Sequence, residues 1–91
     1  MNANRKDESL KKIEAIFRDI FLDEHMVISE KTSPADIDEW DSLAHINILS
    51  GVEKEFKVHF SAEDIGNIVD VSSMLTVLSE RQAFDDAQVK I

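Results

Sequence analysis

Residues 40–56 read WDSLAHINILSGVEKEF, and this stretch decides the fold. Its apolar residues follow at steps of three and four, the spacing of one helix face; they are Leu43, Ile46, Leu49, Val52 and Phe56. Asp41 suits the N-cap position, where its carboxylate accepts free N–H groups of the first turn. We therefore predict a helix that starts at Asp41 or Ser42 and ends near Phe56. Gly51 in its middle marks either a close approach of another helix or a weak point.

A long amphipathic helix is predicted before this stretch, from about Lys6 to Leu22, with Asn4 or Asp7 as its N-cap. Its apolar stripe consists of Leu10, Ile13, Phe17, Ile20 and Phe21. Residues 23–40 contain the only proline, Pro34, together with Ser29, Thr32 and Ser33. They predict a long ordered loop, a feature that is often functional in a small domain. The residues expected to pin this loop to the core are Val27, Ile28, Ile37 and Trp40.

Two shorter helices are predicted after the central one. Ser61 and Asp64 have the spacing of a capping box, so a helix starts after Ser61, and Gly66 keeps it short. Asp70 caps a last helix that runs to about Arg81. The apolar face of the last helix is formed by Val71, Met74, Leu75, Val77 and Leu78. The tail 82–91 has a weak apolar pattern and is expected to fray.

The composition limits the classes of function. Ten Lys or Arg against 19 Asp or Glu among 91 residues give a net charge of −9. Such a surface repels nucleic acid and anionic lipid and favours basic partners. The sequence has no Cys, and no apolar run approaches the roughly 20 residues of a membrane helix. Residues 1–7 show no signal-peptide pattern. We expect a single domain, 1–91, with its core at about 8–80, in the cytoplasm.

No combination of residues predicts a catalytic or metal site. His25, His45 and His59 lie in three different segments and form no helical zinc motif. A Ser42–His45 pair across one helical turn would lack an orienting acid and an oxyanion hole. A calcium loop starting at Asp36 would need Gly at position 41 and Glu at position 47, which are Asp41 and Asn47 here. A small enzyme is therefore the weakest hypothesis.

The central stretch resembles the acyl carrier protein family through its Asp41-Ser42-Leu43 motif and the residues that follow it. The matching positions of the second helix are Ile46, Leu49, Val52, Glu53, Glu55 and Phe56, followed by Val58. The run 61–65 resembles the family's third-helix start, and 71–78 its last helix. The resemblance covers about residues 8–80. It implies an all-α, four-helix acyl-carrier-like bundle with a long first loop and a short third helix.

By this resemblance, Ser42 is the attachment site of a 4′-phosphopantetheine arm derived from coenzyme A. Asp41 and Leu43 are the flanking residues of that site, and the protein has no catalytic activity of its own. The implied partners are a phosphopantetheinyl transferase and acyl-loading and acyl-consuming enzymes with basic docking patches. The expected partner-binding residues are Asp38, Glu39, Leu43, Asn47 and Glu53. An acyl chain could enter the core between Ile46, Leu49, Ile65 and Met74. We expect a monomer.

Several positions depart from the pattern of fatty-acid-synthesis carriers. Ala44 and Asn47 replace residues that are often acidic, Ser50 replaces a larger apolar residue, and Lys54 adds a positive charge. These changes suggest a dedicated carrier in a secondary pathway. The alternatives are a peptidyl or aminoacyl carrier, which uses the same arm, and an acidic helical interaction module that carries none. The sequence leaves the roles of two residues open. Trp40 is either an anchor of the loop or a partner contact, and Leu43 is either a partner contact or a packing residue.

Overall fold

The computed structural model describes the backbone of residues 2–89 and the side chains of residues 6–81. In chain order its helices are α1 (Asn2–Ile20), α2 (Ser42–Phe56), α3 (Ala62–Asn67) and α4 (Val71–Val89). A single 3₁₀ turn, Pro34–Asp36, lies in the loop between α1 and α2. Residues 2–89 contain no β-strand. The predicted all-α fold, with its long first loop and short third helix, is confirmed.

Helix α1 starts earlier than predicted and ends two residues before Leu22. Asn4 and Asp7 lie inside the helix, so the prediction that one of them is its N-cap is wrong. Its first residues include no proline or glycine, so nothing in the sequence stops the helix at Lys6. At the other end, Leu22 has a left-handed φ of 54°. The N–H of Asp23 donates to the carbonyl of Arg18 at 3.0 Å, the long-range bond of a Schellman motif.

Helix α2 has the predicted start and end. Asp41 is its N-cap, and Phe56 is its last residue. The chain then turns through Lys57, which has a left-handed φ of 57°, and the N–H of Val58 donates to the carbonyl of Glu53 at 3.1 Å. Both α1 and α2 therefore end in the same way, with a residue other than glycine in a conformation that glycine adopts most easily.

The predicted capping box at the start of α3 is confirmed. The hydroxyl of Ser61 accepts from the N–H of Asp64 at 3.1 Å, and the Asp64 carboxylate accepts from the N–H of Ser61 at 3.0 Å. The same carboxylate is bound by the guanidinium of Arg81, with contacts of 2.6 and 2.7 Å. The bonds from the Ser61 backbone and from Arg81 lower the pKa of the Asp64 carboxyl. This pair fixes α3 against α4.

Helix α4 starts where the sequence predicted but ends later. Asp70 caps it, because its carboxylate accepts from the N–H of Ser73 at 2.8 Å. The hydroxyl of Ser73 is also within 2.6 Å of this carboxylate, and these bonds lower the pKa of Asp70. The helical backbone continues to Val89, so the predicted end near Arg81 is wrong. The final residues of the predicted frayed tail, positions 90 and 91, lie outside the described residues.

The core is formed by one cluster of apolar side chains from α1, α2 and α4, the first loop, and the residues on either side of α3. Its buried members are Ile13, Phe17, Ile28, Trp40, Ile48, Leu49, Val52, Phe56, Phe60, Ile68, Val71, Met74, Leu75, Val77 and Leu78. The predicted stripe of α2 is partly wrong: Leu43 and Ile46 are 68% and 60% exposed, and Ile48 is fully buried instead. Helix α2 is thus rotated so that its buried face passes through Ile48, Leu49 and Val52. The predicted stripes of α1 and α4 pack on or within this core.

Gly51 faces α1 at close range. A Cβ atom at this position would lie 3.0 Å from the Cγ2 atom of Ile16. The hypothesis of a close helix approach at Gly51 is therefore confirmed.

The loop between α1 and α2 is bound to the helices through its backbone. Arg18 donates from Nε to the carbonyl of Met26 at 2.7 Å, and the Glu14 carboxylate accepts from the N–H of Ile28 at 3.0 Å. Farther along, the carbonyl of Thr32 accepts from the N–H of Val71 at 3.1 Å. Ile28 and Trp40 are buried and Ile37 is half-buried, as predicted, whereas Val27 is 77% exposed and pins nothing. Among the described helices, none combines the length and hydrophobicity that crossing a bilayer demands.

Candidate functional site

Ser42 is the first residue of α2 and its side chain is exposed. The preceding residue, Asp41, accepts from the N–H of Ala44 at 2.9 Å through its carboxylate. The carbonyl of Asp41 accepts from the N–H of His45 at 2.9 Å and closes the first turn. The N–H groups of Ser42 and Leu43 lie in this turn, where a helix leaves its donors without intrahelical acceptors. An exposed hydroxyl therefore stands at the positive end of the helix dipole.

Trp40 anchors the chain two residues before Ser42. Its side chain is only 6% exposed and packs edge-on against Phe17 of α1, with ring centroids 5.1 Å apart and planes at 89°. Its indole Nε1–H donates to Nδ1 of His45 at 3.0 Å. The structure therefore supports the loop-anchor role of Trp40. Because the anchor is so near, the start of α2 is fixed relative to α1.

His45 uses both of its ring nitrogens inside the molecule. Nδ1 accepts from Trp40, and an indole N–H can only donate, so this nitrogen carries no proton. Nε2 lies 2.9 Å from the carbonyl oxygen of Ile68, which can only accept, so Nε2 carries the proton. This assignment leaves no nitrogen free to remove a proton from Ser42. No sequence pattern predicts this arrangement, because Trp40, His45 and Ile68 meet only through the fold.

Exposed apolar residues surround the start of α2 and the nearby end of α3. Leu43, next to Ser42, is 68% exposed, which excludes the packing role for it. Ile46, one turn later, is exposed as well, and so are Ile65 in α3 and Val69 after it. Of the four residues predicted to line an acyl space, only Leu49 and Met74 are buried in the core; Ile46 and Ile65 lie at the surface.

The predicted polar contact residues differ in their surroundings. Asp38, Glu39 and Asn47 have exposed side chains near the start of α2. Glu53 is half-buried, and its carboxylate accepts from the N–H of Phe60 at 2.8 Å, so it holds the connection between α2 and α3. Asp38 and Glu39 thus lie just before Ser42 in the chain, Asn47 lies in the second turn of α2, and Glu53 is tied to the far end of α2. Within the described part of the chain, no three His, Cys, Asp or Glu side chains form a group able to hold a metal ion.

No protein-family model and no curated protein sequence matches the chain. Its fold is similar to the solution NMR structure of a holo acyl carrier protein from Geobacter metallireducens, with a TM-score of 0.75. The two sequences are 30% identical, and the match covers 85% of this chain and 88% of that chain. The chain belongs to the acyl carrier protein family. The resemblance carried by Asp41-Ser42-Leu43 is therefore confirmed at the level of the family.

For an acyl carrier protein, the start of α2 has suitable chemistry for a covalently attached phosphodiester. The Ser42 hydroxyl is accessible, and the N–H groups of Ser42 and Leu43 point away from the helix toward the space where an anion would sit. The Asp41 carboxylate is already bonded to the N–H of Ala44, which keeps its position in the cap defined. The residues present thus fit such a group.

Proposed function

We propose that this carrier protein holds an acyl or related group as a thioester on a 4′-phosphopantetheine arm attached to Ser42. The observation that carries the proposal is the position of Ser42: exposed, first in a capped helix, within Asp41-Ser42-Leu43 of a chain that belongs to the acyl carrier protein family. When attached, the arm supplies a terminal thiol that forms the thioester. The protein supplies the hydroxyl and the helix start that surround the attachment point.

The attachment step uses only the Ser42 hydroxyl of this chain. The Oγ atom forms a bond to the phosphorus of coenzyme A that bears the pantetheine. The bond from that phosphorus to adenosine 3′,5′-bisphosphate breaks, and the leaving group keeps the electron pair. The hydroxyl proton passes to a base of the transferase, because both nitrogens of His45 are engaged by Trp40 and Ile68. The new phosphodiester then carries its negative charge at the positive end of α2.

The surface around Ser42 supports transient contacts with basic enzymes. Asp38, Glu39 and Asp41 are exposed just before α2, and exposed Leu43 adjoins them. Acidic residues accelerate encounter with a basic patch, while one apolar side chain adds contact area without a large, slowly released interface. We propose as partners a phosphopantetheinyl transferase and enzymes that load or consume the acyl group, acting in the cytoplasm on a monomeric carrier. The departures at Ala44, Asn47, Ser50 and Lys54 favour a dedicated pathway.

The test is the intact mass of the protein after incubation with coenzyme A, Mg²⁺ and a broad-specificity phosphopantetheinyl transferase. We expect a gain of one phosphopantetheinyl group. Ser42→Ala should abolish the gain, whereas Ser50→Ala, at an exposed serine of the same helix, should leave it unchanged. Absence of the gain on folded wild-type protein with several transferases would overturn the proposal and favour an interaction module without an arm.

A further inference from the structure

A continuous set of hydrogen bonds runs from α4 through α3 and α2 to the residue two positions before Ser42. It begins where Arg81 holds the Asp64 carboxylate. The backbone carbonyl of Asp64 accepts from the N–H of Ile68 at 3.1 Å, inside the last turn of α3. The carbonyl of Ile68 accepts from Nε2 of His45, and Nδ1 of His45 accepts from the indole of Trp40.

His45 is the junction in this set because it is where α3 and the anchor of the first loop meet. Its side chain is half-buried on α2. The His45 and Trp40 rings have centroids 5.9 Å apart and planes that differ by 25°. The bond to Ile68 spans 23 residues of sequence, so it ties α3 to α2 independently of their connection.

Helix α3 depends on such ties because it has only six residues, too few to be stable alone. Two side-chain contacts from other helices hold it: Arg81 binds Asp64 in its first turn, and His45 binds Ile68 at its C-terminal end. The exposed residues Ile65 and Val69 flank the second of these contacts. A displacement of α3 therefore moves the Ile68 carbonyl and alters the bond that His45 makes to it.

We infer that His45 is a positioning residue for Ser42: by bridging the indole of Trp40 to the carbonyl of Ile68, it transmits a displacement of α3 to the turn that presents Ser42. The consequence for modification of Ser42 rests on the proposed function. The bridge itself does not depend on the proposed function, since it is made of contacts within the protein. Residues packed against α3, although distant from Ser42, thereby influence how Ser42 is presented.

The first measurement concerns the bridge in the wild-type protein. Trp40 is the only tryptophan, so its indole Nε1–H gives a single, readily assigned NMR signal. Ring ¹⁵N spectra should show His45 as the neutral tautomer with its proton on Nε2. A proton on Nδ1 instead would overturn the inference, because Trp40 could not then donate to that nitrogen.

The second measurement is a cycle of substitutions at His45 and Arg81, which do not bind each other. Arg81→Gln loosens α3 from α4 and should shift the Trp40 indole signal in the wild-type background. His45→Phe keeps a ring of similar size but removes both nitrogens, so Arg81→Gln should leave the indole signal unmoved in that background. His45→Gln offers one acceptor and one donor and should restore part of the response. His25→Phe, at a side chain 90% exposed in the first loop, is the matched control.

The same variants are compared in their kcat/KM for the phosphopantetheinyl transferase. The loss of one bond of this kind predicts that His45→Phe lowers kcat/KM by about 3- to 10-fold. Arg81→Gln should lower kcat/KM in the wild type and add nothing in His45→Phe, whereas independent sites would multiply their effects.

Equal effects of Arg81→Gln on the indole signal in both backgrounds would overturn the inference. A His45→Phe protein that does not fold is replaced in the cycle by His45→Leu, which also lacks both nitrogens and in which Arg81→Gln must leave the indole signal unmoved. If wild-type protein is never modified, the proposed function fails, while the tautomer and the indole signal still decide whether the bridge exists.

Discussion

Replacing Gly51 with alanine tests the contact between α1 and α2 at a single methyl group. In a helix interior, alanine is more favourable than glycine by about 1 kcal/mol. At Gly51, the new Cβ would lie 3.0 Å from the Cγ2 atom of Ile16, so the Ile16 side chain must move by a few tenths of an ångström. Overpacking of this kind costs about 1–3 kcal/mol. We therefore expect Gly51→Ala to lower the free energy of unfolding by about 0–2 kcal/mol.

The chain provides a matched control for this substitution. Gly66 also lies in a helix, but a Cβ built there meets no atom within 4 Å. Gly66→Ala should therefore raise the free energy of unfolding by about 0.5–1 kcal/mol, the propensity gain alone. The comparison separates the helix propensity of alanine from its contact with α1.

The same substitution in an Ile16→Leu background tests whether the Cγ2 atom of Ile16 causes the cost of Gly51→Ala. Ile16→Leu keeps the side-chain volume but has no Cγ2 atom. In this background, Gly51→Ala should raise the free energy of unfolding by about 0.5–1 kcal/mol, as at Gly66. Urea unfolding followed by far-UV circular dichroism gives these differences, provided that the m-value stays constant. Stabilisation by Gly51→Ala in the wild type as large as that by Gly66→Ala would refute the reasoning.

Three further predictions concern caps and carboxylates. Asp41→Ala removes the acceptor of the Ala44 N–H and should lower the free energy of unfolding by about 1 kcal/mol. Asp41→Asn keeps an acceptor oxygen and should largely keep the wild-type free energy of unfolding. Urea titrations measure both differences. Lys57→Gly should raise the free energy of unfolding by about 1 kcal/mol, because glycine adopts the left-handed φ at this position without a Cβ penalty. An unchanged urea midpoint would contradict this prediction. The pKa of Asp64 in the folded protein is lower than its ordinary value of 3.8. The ionised carboxylate therefore stabilises the protein in full when the pH is above 3.8. This stabilisation is lost as the pH falls below 3.8 and through the lowered pKa. The midpoint temperature of thermal unfolding should therefore fall less steeply with decreasing pH across this range in Asp64→Asn than in the wild type.

The parts of the fold that could be predicted are those decided by local chemistry. Asp41, Ser61 and Asp70 all cap helices as expected, because a side-chain oxygen three residues before a free N–H satisfies it whatever the rest of the chain does. The position of Ser42 at the start of α2 follows from the same rule. The family resemblance rested on this start and on the residues that follow it.

The remaining features depend on contacts between distant segments. The pattern of α2 fits a stripe through Ile46 almost as well as one through Ile48, and only packing in the shared core selects Ile48. The ends of α1 and α2 have no glycine, so neither left-handed turn was signalled by the sequence. The His45 bridge was missed for a similar reason, since its partner Ile68 offers a backbone carbonyl that every residue type has.

The ties between α1 and the first loop have a consequence for exchanging parts between carriers. Arg18 and Glu14 bind a carbonyl and an N–H of the loop, and Val71 binds another carbonyl. These loop groups belong to the backbone, so they persist when exposed side chains of the loop are changed, provided that the buried Ile28 and Trp40 and the half-buried Met26 are kept. A loop of the same length and different surface residues could be grafted between α1 and α2, and the helices would still hold its course. The exposed residues of the loop can therefore be exchanged while Glu14, Arg18 and Val71 hold its backbone in place. Partner preference could change there without redesigning the core.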